Sequence, residues 1–203
     1  MATPTRSQSK AVDTFRRNGG VLHTSQALEA GVHPRDLYAL RDAGILTPIS
    51  RGVYRLAELP PLSEPDLITV TLRVPKAVVC LISALHFHGL TAEIPHRVSI
   101  ALPQGSAAPK LAWPPLTVYR FSARMYAAGI DTHTRDGVPL RVYGAAKTVV
   151  DCFRFRNRIG IDVPVEGLRL GLSQGAFAPA AIMRFAKIGR VEAIVRPYLE
   201  ALL

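Results

Sequence analysis

The sequence predicts an α+β protein: a small N-terminal module of three short helices and a β-hairpin, then a mixed α/β C-terminal domain with a small, largely antiparallel sheet. Three observations predict it. Helical hydrophobic spacing gives way to a glycine-turned hairpin within residues 1–58. Residues 57–65, AELPPLSEP, carry three prolines and set a linker at 59–65. From 66 to 203, helix and strand signals alternate without a repeat or low-complexity segment.

In KAVDTFRRNG (10–19), Ala11, Val12 and Phe15 share one helical face, Arg16 and Arg17 lie near the other, and Gly19-Gly20 ends the helix. Val21-Leu22-His23 is short and extended. Thr24 or Ser25 is a natural N-cap for a helix through Ala30, which Gly31 stops. Pro34 opens PRDLYALRDA at the position where a first helical turn tolerates proline, and Gly44 closes it. Ile45–Ile49 and Val53–Leu56 then flank the turn Ser50-Arg51-Gly52 as a two-stranded hairpin. In the second domain a helix is expected at 66–73, an apolar stretch from Ala77 into SALHFHGL, and strands at 97–102 and 116–121. Asp136-Gly137 turns a hairpin between Ile130–Thr134 and Leu140–Tyr143, before a helix from Ala145 to Arg158 and three short helices.

The composition, 48% hydrophobic and 7% aromatic over 203 residues, is that of an ordinary globular core. A net charge of +10 favours an anionic partner, nucleic acid first. It divides unevenly: residues 1–58 hold eight basic and five acidic side chains, and the remainder holds seventeen and ten. Cys80 and Cys152 lie apart in apolar stretches and read as small buried hydrophobes in a reducing compartment. The N-terminal MATPTRSQSK is polar, unlike a signal peptide, and the longest apolar stretch, Ala77–Leu85, is too short to span a bilayer. A cytoplasmic protein is expected.

Three short helices and a hairpin in the first 58 residues are the plan of a winged helix-turn-helix, whose third helix enters the DNA major groove. Leu37 and Leu40 face inward there. Arg35, Tyr38, Ala39 and Asp42 face out, with Arg41 at the margin and His33 just before the helix. Arg35 is the first candidate for a guanine contact, because its fork meets two acceptors at once. Thr24, Ser25 and Gln26 are candidate phosphate contacts at the second helix's positive end, and Arg51 and Arg55 in the wing suit a flanking phosphate or the minor groove. A second candidate surface, for phosphate or a protein partner, is Arg141, Lys147, Arg154 and Arg158, with Arg156 pointing elsewhere. The same pattern is also compatible with a stand-alone transcriptional regulator, or with a winged helix that docks a protein, in either case without a toxin partner.

The stretch GGVLHTSQALEAGVHPRDLYALRDAGILTPISRGVYRL resembles the N-terminal domain of the AbiEi antitoxin family of type IV toxin–antitoxin and phage-abortive systems. Its most specific part is the L-x-x-L-x-x-A-G-x-L/I run ending in an R-G-V-Y wing, Leu37 to Tyr54. LISALHFHGLT (81–91), RVSIALP (97–103) and YGAAKTVVDCFRFRNRIG (143–160) are more loosely similar to the family's C-terminal region. The resemblance implies a repressor that binds inverted repeats in its own promoter, and repression by occupancy, with one winged helix reading each half-site, is the expected mechanism. It implies a C-terminal domain that assists repression and counters a nucleotidyltransferase-like toxin. The DNA role carries onto Arg35, Tyr38, Arg51 and their neighbours; the antitoxin role carries onto no single residue.

No enzyme is expected, and neither a cofactor nor a small-molecule substrate. His86 and His88 are two apart, so a helix points them about 200° from each other, and with Cys80 they match no zinc spacing. Serine, histidine and aspartate are all present, but no nucleophile-elbow context assembles them, and the chain has no P-loop or G-x-G-x-x-G run. No aspartate or glutamate is followed by the D/E-x-K triplet of a restriction-type nuclease.

Overall fold

A computed structural model describes residues 5–203; residues 1–4, the start of the polar N-terminal decapeptide, lie outside the described residues. The chain divides into two compact units. The first runs to Arg73 and includes the hairpin tip Thr134–Pro139; the second comprises Val74–His133 and Leu140–Leu203.

The first unit contains α1 (Arg6–Arg17), β1 (Val21–His23), α2 (Thr24–Glu29), α3 (Pro34–Asp42), β2 (Leu46–Ser50), β3 (Val53–Leu56) and α4 (Pro65–Arg73). Helix α1 starts earlier than its apolar spacing suggests, because Thr5 and Gln8 form a capping box on its free amides. The hairpin becomes a three-stranded antiparallel sheet, ordered β1-β3-β2, as β1 pairs with β3 from Val21↔Arg55 to His23↔Val53. Phe15, Leu37, Leu40, Leu46 and Leu56 are at most 1% exposed and form the core beneath it. Each such side chain contributes about 1.5–3 kcal/mol of burial.

The second unit contains β4 (Val78–Val79), α5 (Leu81–Phe87), β5 (Val98–Pro103), β6 (Leu116–Phe121), α6 (Ala123–Ala127), β7 (Ile130–Arg135), β8 (Val138–Tyr143), α7 (Ala145–Arg154), α8 (Arg156–Ile159), α9 (Asp162–Ser173), α10 (Pro179–Gly189) and α11 (Glu192–Glu200). Its sheet has the order β6-β5-β4-β8-β7. The α+β class is as expected, and the sheet is mixed: β5 runs parallel to β6, β4 parallel to β8, and β4 antiparallel to β5. Helix α7 packs against α5, α9 and α10 and is buried from Ala146 to Phe153. The helix expected to run to Arg158 stops at Arg154. Phe155 leaves the helical path (φ −98°, ψ 14°), and its ring packs against Tyr119 and stacks on Phe121.

Candidate nucleic-acid interface

Helix α3 is built to present one face. His33 caps it, its Nδ1 accepting from the Arg35 amide at 3.2 Å, and Pro34 supplies the first helical residue. Leu37 and Leu40 anchor the inner side. Their spacing leaves Arg35 and Tyr38 exposed on the outer side, with Ala39 half-buried. The Arg35 guanidinium has no ion pair or hydrogen bond among the described residues, so its fork is available to an acceptor. Arg41 is differently placed. It lies 5.0 Å over the Tyr38 ring and holds Asp42 Oδ1 through Nε at 2.8 Å and Nη2 at 2.7 Å. That hydrogen bond to Asp42 raises the guanidinium further above its ordinary value. The two outward charges at the end of α3 therefore oppose each other locally.

At the other elements several candidates have structural tasks. Gln26 Oε1 accepts from the His23 amide at 2.9 Å, closing the start of α2. The Thr24 hydroxyl and amide both donate to the Gly52 carbonyl, at 3.2 and 2.8 Å. This clamp ties the α2 N-terminus to the wing turn, where Gly52 has φ +75°. Ser25 and Arg51, one residue from either side of the clamp, are both exposed. Arg55 is half-buried and donates through Nη2 to the Pro60 carbonyl at 2.6 Å. Of the candidate contacts in this unit, Ser25, Arg35, Tyr38 and Arg51 are thus exposed and hold no side-chain hydrogen bond or ion pair among the described residues.

The second candidate surface is corrected at one position. Lys147 is 1% exposed and paired with Asp151, also 1% exposed, one turn further along α7. Its Nζ sits 4.4 Å from the Tyr143 ring centroid and 4.9 Å from that of Phe121. It belongs to the core because α7 is enclosed on every side. Burial pushes the Asp151 carboxyl up to about 6, against the pull of Lys147. Arg141 is half-buried and reaches Tyr126 Oη at 3.3 Å. Arg154 and Arg158 are exposed, the first donating to the Gly189 carbonyl at 2.6 Å and the second 4.6 Å over the Tyr119 ring. They sit on opposite sides of the break at Phe155, not on one continuous helical face. Asp151 was missed by sequence reasoning, although its i,i+4 spacing from Lys147 was visible.

Comparison with known families bears on the segment from α1 through β3. Residues 9–57 match the family described as "Transcriptional regulator, AbiEi antitoxin". The matched segment contains all of α2, α3 and the β2–β3 hairpin, including every candidate DNA contact in the first unit. The fold over nearly the whole chain is similar to the crystal structure of the RV2827C protein from Mycobacterium tuberculosis. The TM-score is 0.59 and the identity 15%, over 98% of this chain and 83% of that one. No curated protein matches the chain significantly. Among the described residues, no helix is long and apolar enough to cross a membrane, and no group of three or more His, Cys, Asp or Glu is placed to hold a metal ion.

Proposed function

We propose that the protein is a cytoplasmic transcriptional repressor and antitoxin whose residues 1–58 form a winged helix-turn-helix. It acts by occupying inverted repeats in its own promoter. On this reading α3 enters the major groove, Arg35 reads a guanine and Tyr38 packs beside it. Ser25 and Arg51 hold flanking phosphates. Residues 66–203 assist repression and counter a nucleotidyltransferase-like toxin. One observation supports the DNA reading: an arginine that is exposed, and without a side-chain partner among the described residues, shares the outer face of α3 with an exposed tyrosine, inside the segment that matches the AbiEi family.

The test is fluorescence anisotropy with duplex DNA from upstream of the gene. Arg35→Ala should cost about 1–3 kcal/mol of binding and relax preference at one base pair. An unchanged affinity and footprint would refute the assignment of Arg35. A stoichiometric protein complex in a pull-down, with no shift of upstream DNA, would refute the repressor reading in favour of a protein-docking module. Growth rescue on co-expression with the product of a neighbouring nucleotidyltransferase-like gene tests the antitoxin role separately.

A further inference from the structure

A cleft of about 570 Å³ opens in the second unit, lined in part by Gln104, Arg120, Ser122, Arg154, Phe155 and Arg156. Its volume falls within the roughly 300–1,000 Å³ typical of small-molecule sites. Strands β5 and β6 build one wall. They run parallel in register from Val98↔Leu116 to Pro103↔Phe121, so their carboxyl ends coincide. Gln104 and Ser122 are the first residues past those ends, and the Gln104 amide donates to the Phe121 carbonyl at 2.8 Å. Crevices at the carboxyl ends of parallel strands are the usual ligand positions of α/β sheets.

The break at the end of α7 builds the facing wall. Arg154 is its last residue, Phe155 interrupts it, and Arg156 opens α8. Two of the guanidinium groups are anchored by backbone: Arg154 Nη1 donates to the Gly189 carbonyl at 2.6 Å and Arg156 Nη1 to the Phe153 carbonyl at 3.1 Å. Each bond uses one of five donors and leaves the rest for a ligand. Arg120 is exposed and has no ion pair or hydrogen bond among the described residues. No carboxylate lines the cleft. Elsewhere Arg16, Arg41 and Arg196 are each matched by an acidic side chain. Three like charges gathered with no carboxylate in the lining repel one another, and an anion relieves that repulsion.

We propose that this cleft binds a small phosphorylated molecule, its phosphates held by Arg120, Arg154 and Arg156, whose planar forks match phosphate oxygens. The inference stands apart from the DNA reading. Calorimetric titration of the full chain with pyrophosphate, and separately with ATP, tests it and distinguishes an inorganic source from a nucleotide. Saturable binding of either, one per chain, is expected, with affinity falling about tenfold in Arg120→Gln through loss of a charge-assisted bond. The exposed Arg120 side chain makes no ion pair or hydrogen bond among the described residues, so the variant should keep the fold, checked by an unchanged circular dichroism spectrum. Absence of binding at millimolar concentrations of both probes would overturn the proposal, as would equal affinity in Arg120→Gln. So would displacement of bound pyrophosphate by short duplex DNA whose own affinity drops with Arg120→Gln, since the cleft would then be part of a nucleic-acid footprint.

Discussion

The Lys147–Asp151 pair makes a quantitative demand on the second unit. Both side chains are 1% exposed and one helical turn apart, so water screens neither. Removing Lys147 strands the Asp151 charge in the core: Lys147→Met should destabilise by about 3–5 kcal/mol near neutral pH, whereas Asp151→Asn, which mimics the neutral acid, should cost less. A buried pair roughly breaks even against apolar replacements, so the double variant should be less destabilised than the two costs together, with a coupling of roughly 2–3 kcal/mol. Trp113, the only tryptophan, is 69% exposed and a weak reporter of unfolding, so urea titrations should be followed by circular dichroism of the helices. The pH dependence carries a sign. The Asp151 carboxyl sits at about 6 in the folded chain against 3.8 ordinarily, because burial disfavours its charged form. Its contribution is therefore fully present below the ordinary value and is lost as pH rises through about 6. Relative to Asp151→Asn, wild-type stability should therefore fall as pH rises across that window. Additive single costs, or relative stability that rises through the window, would refute the reasoning.

Two further predictions concern packing. Leu37→Ala removes a fully buried side chain from beneath α3 and should cost about 2–5 kcal/mol, read as a lower urea midpoint with DNA affinity lost in parallel. Gly129→Ala places a Cβ at φ +69°, 2.9 Å from the Phe185 ring and 3.0 Å from the Lys147 Cβ. The backbone alone should cost about 1–2 kcal/mol, and the thermal midpoint should fall accordingly.

Local chemistry was legible and non-local pairing was not. Gly20, Gly31, Gly44 and Gly52 all adopt positive φ at or just beyond the ends of α1, α2, α3 and β2, where the sequence marks stops. Each is a decision made within a few residues. The pairing of Val21 with Arg55 joins positions far apart in the chain, and a three-residue strand has no periodicity to announce it. The parallel pairs β5–β6 and β4–β8 are set by tertiary contacts, which a turn-based reading does not sense. Lys147 was placed at the surface because lysine usually is; the enclosure of α7 depends on α5, α9 and α10, which no pattern within 143–160 encodes. In the first unit the outward residues of α3 follow from helical spacing. The tasks of Gln26, His33 and Arg55 do not, since each depends on which backbone group lies within reach of the side chain.

These commitments bear on how salt should govern DNA binding. The slope of log affinity against log salt is about −0.9 per phosphate neutralised, and six to ten contacts are expected of a repressor. Residues 1–58 hold eight basic side chains. Arg16 is bound to Glu58 and Asp13, Arg41 to Asp42, and Arg55 to the Pro60 carbonyl. Arg6, Lys10, Arg35 and Arg51 remain, with the exposed Arg17, which spends only Nε on the Asp13 carbonyl at 3.3 Å; these five are enough for a slope near −4.5 per protomer if all of them touch phosphate. A measured slope per bound protomer steeper than about −5 would require cations from the second unit, where most of the net charge lies. Substituting the exposed Arg158 by glutamine should then flatten the slope by about one. A slope shallower than −5 that Arg158→Gln leaves unchanged would confine the footprint to the first unit. Titration of the full chain against salt, with stoichiometry fixed by sedimentation, decides between the two.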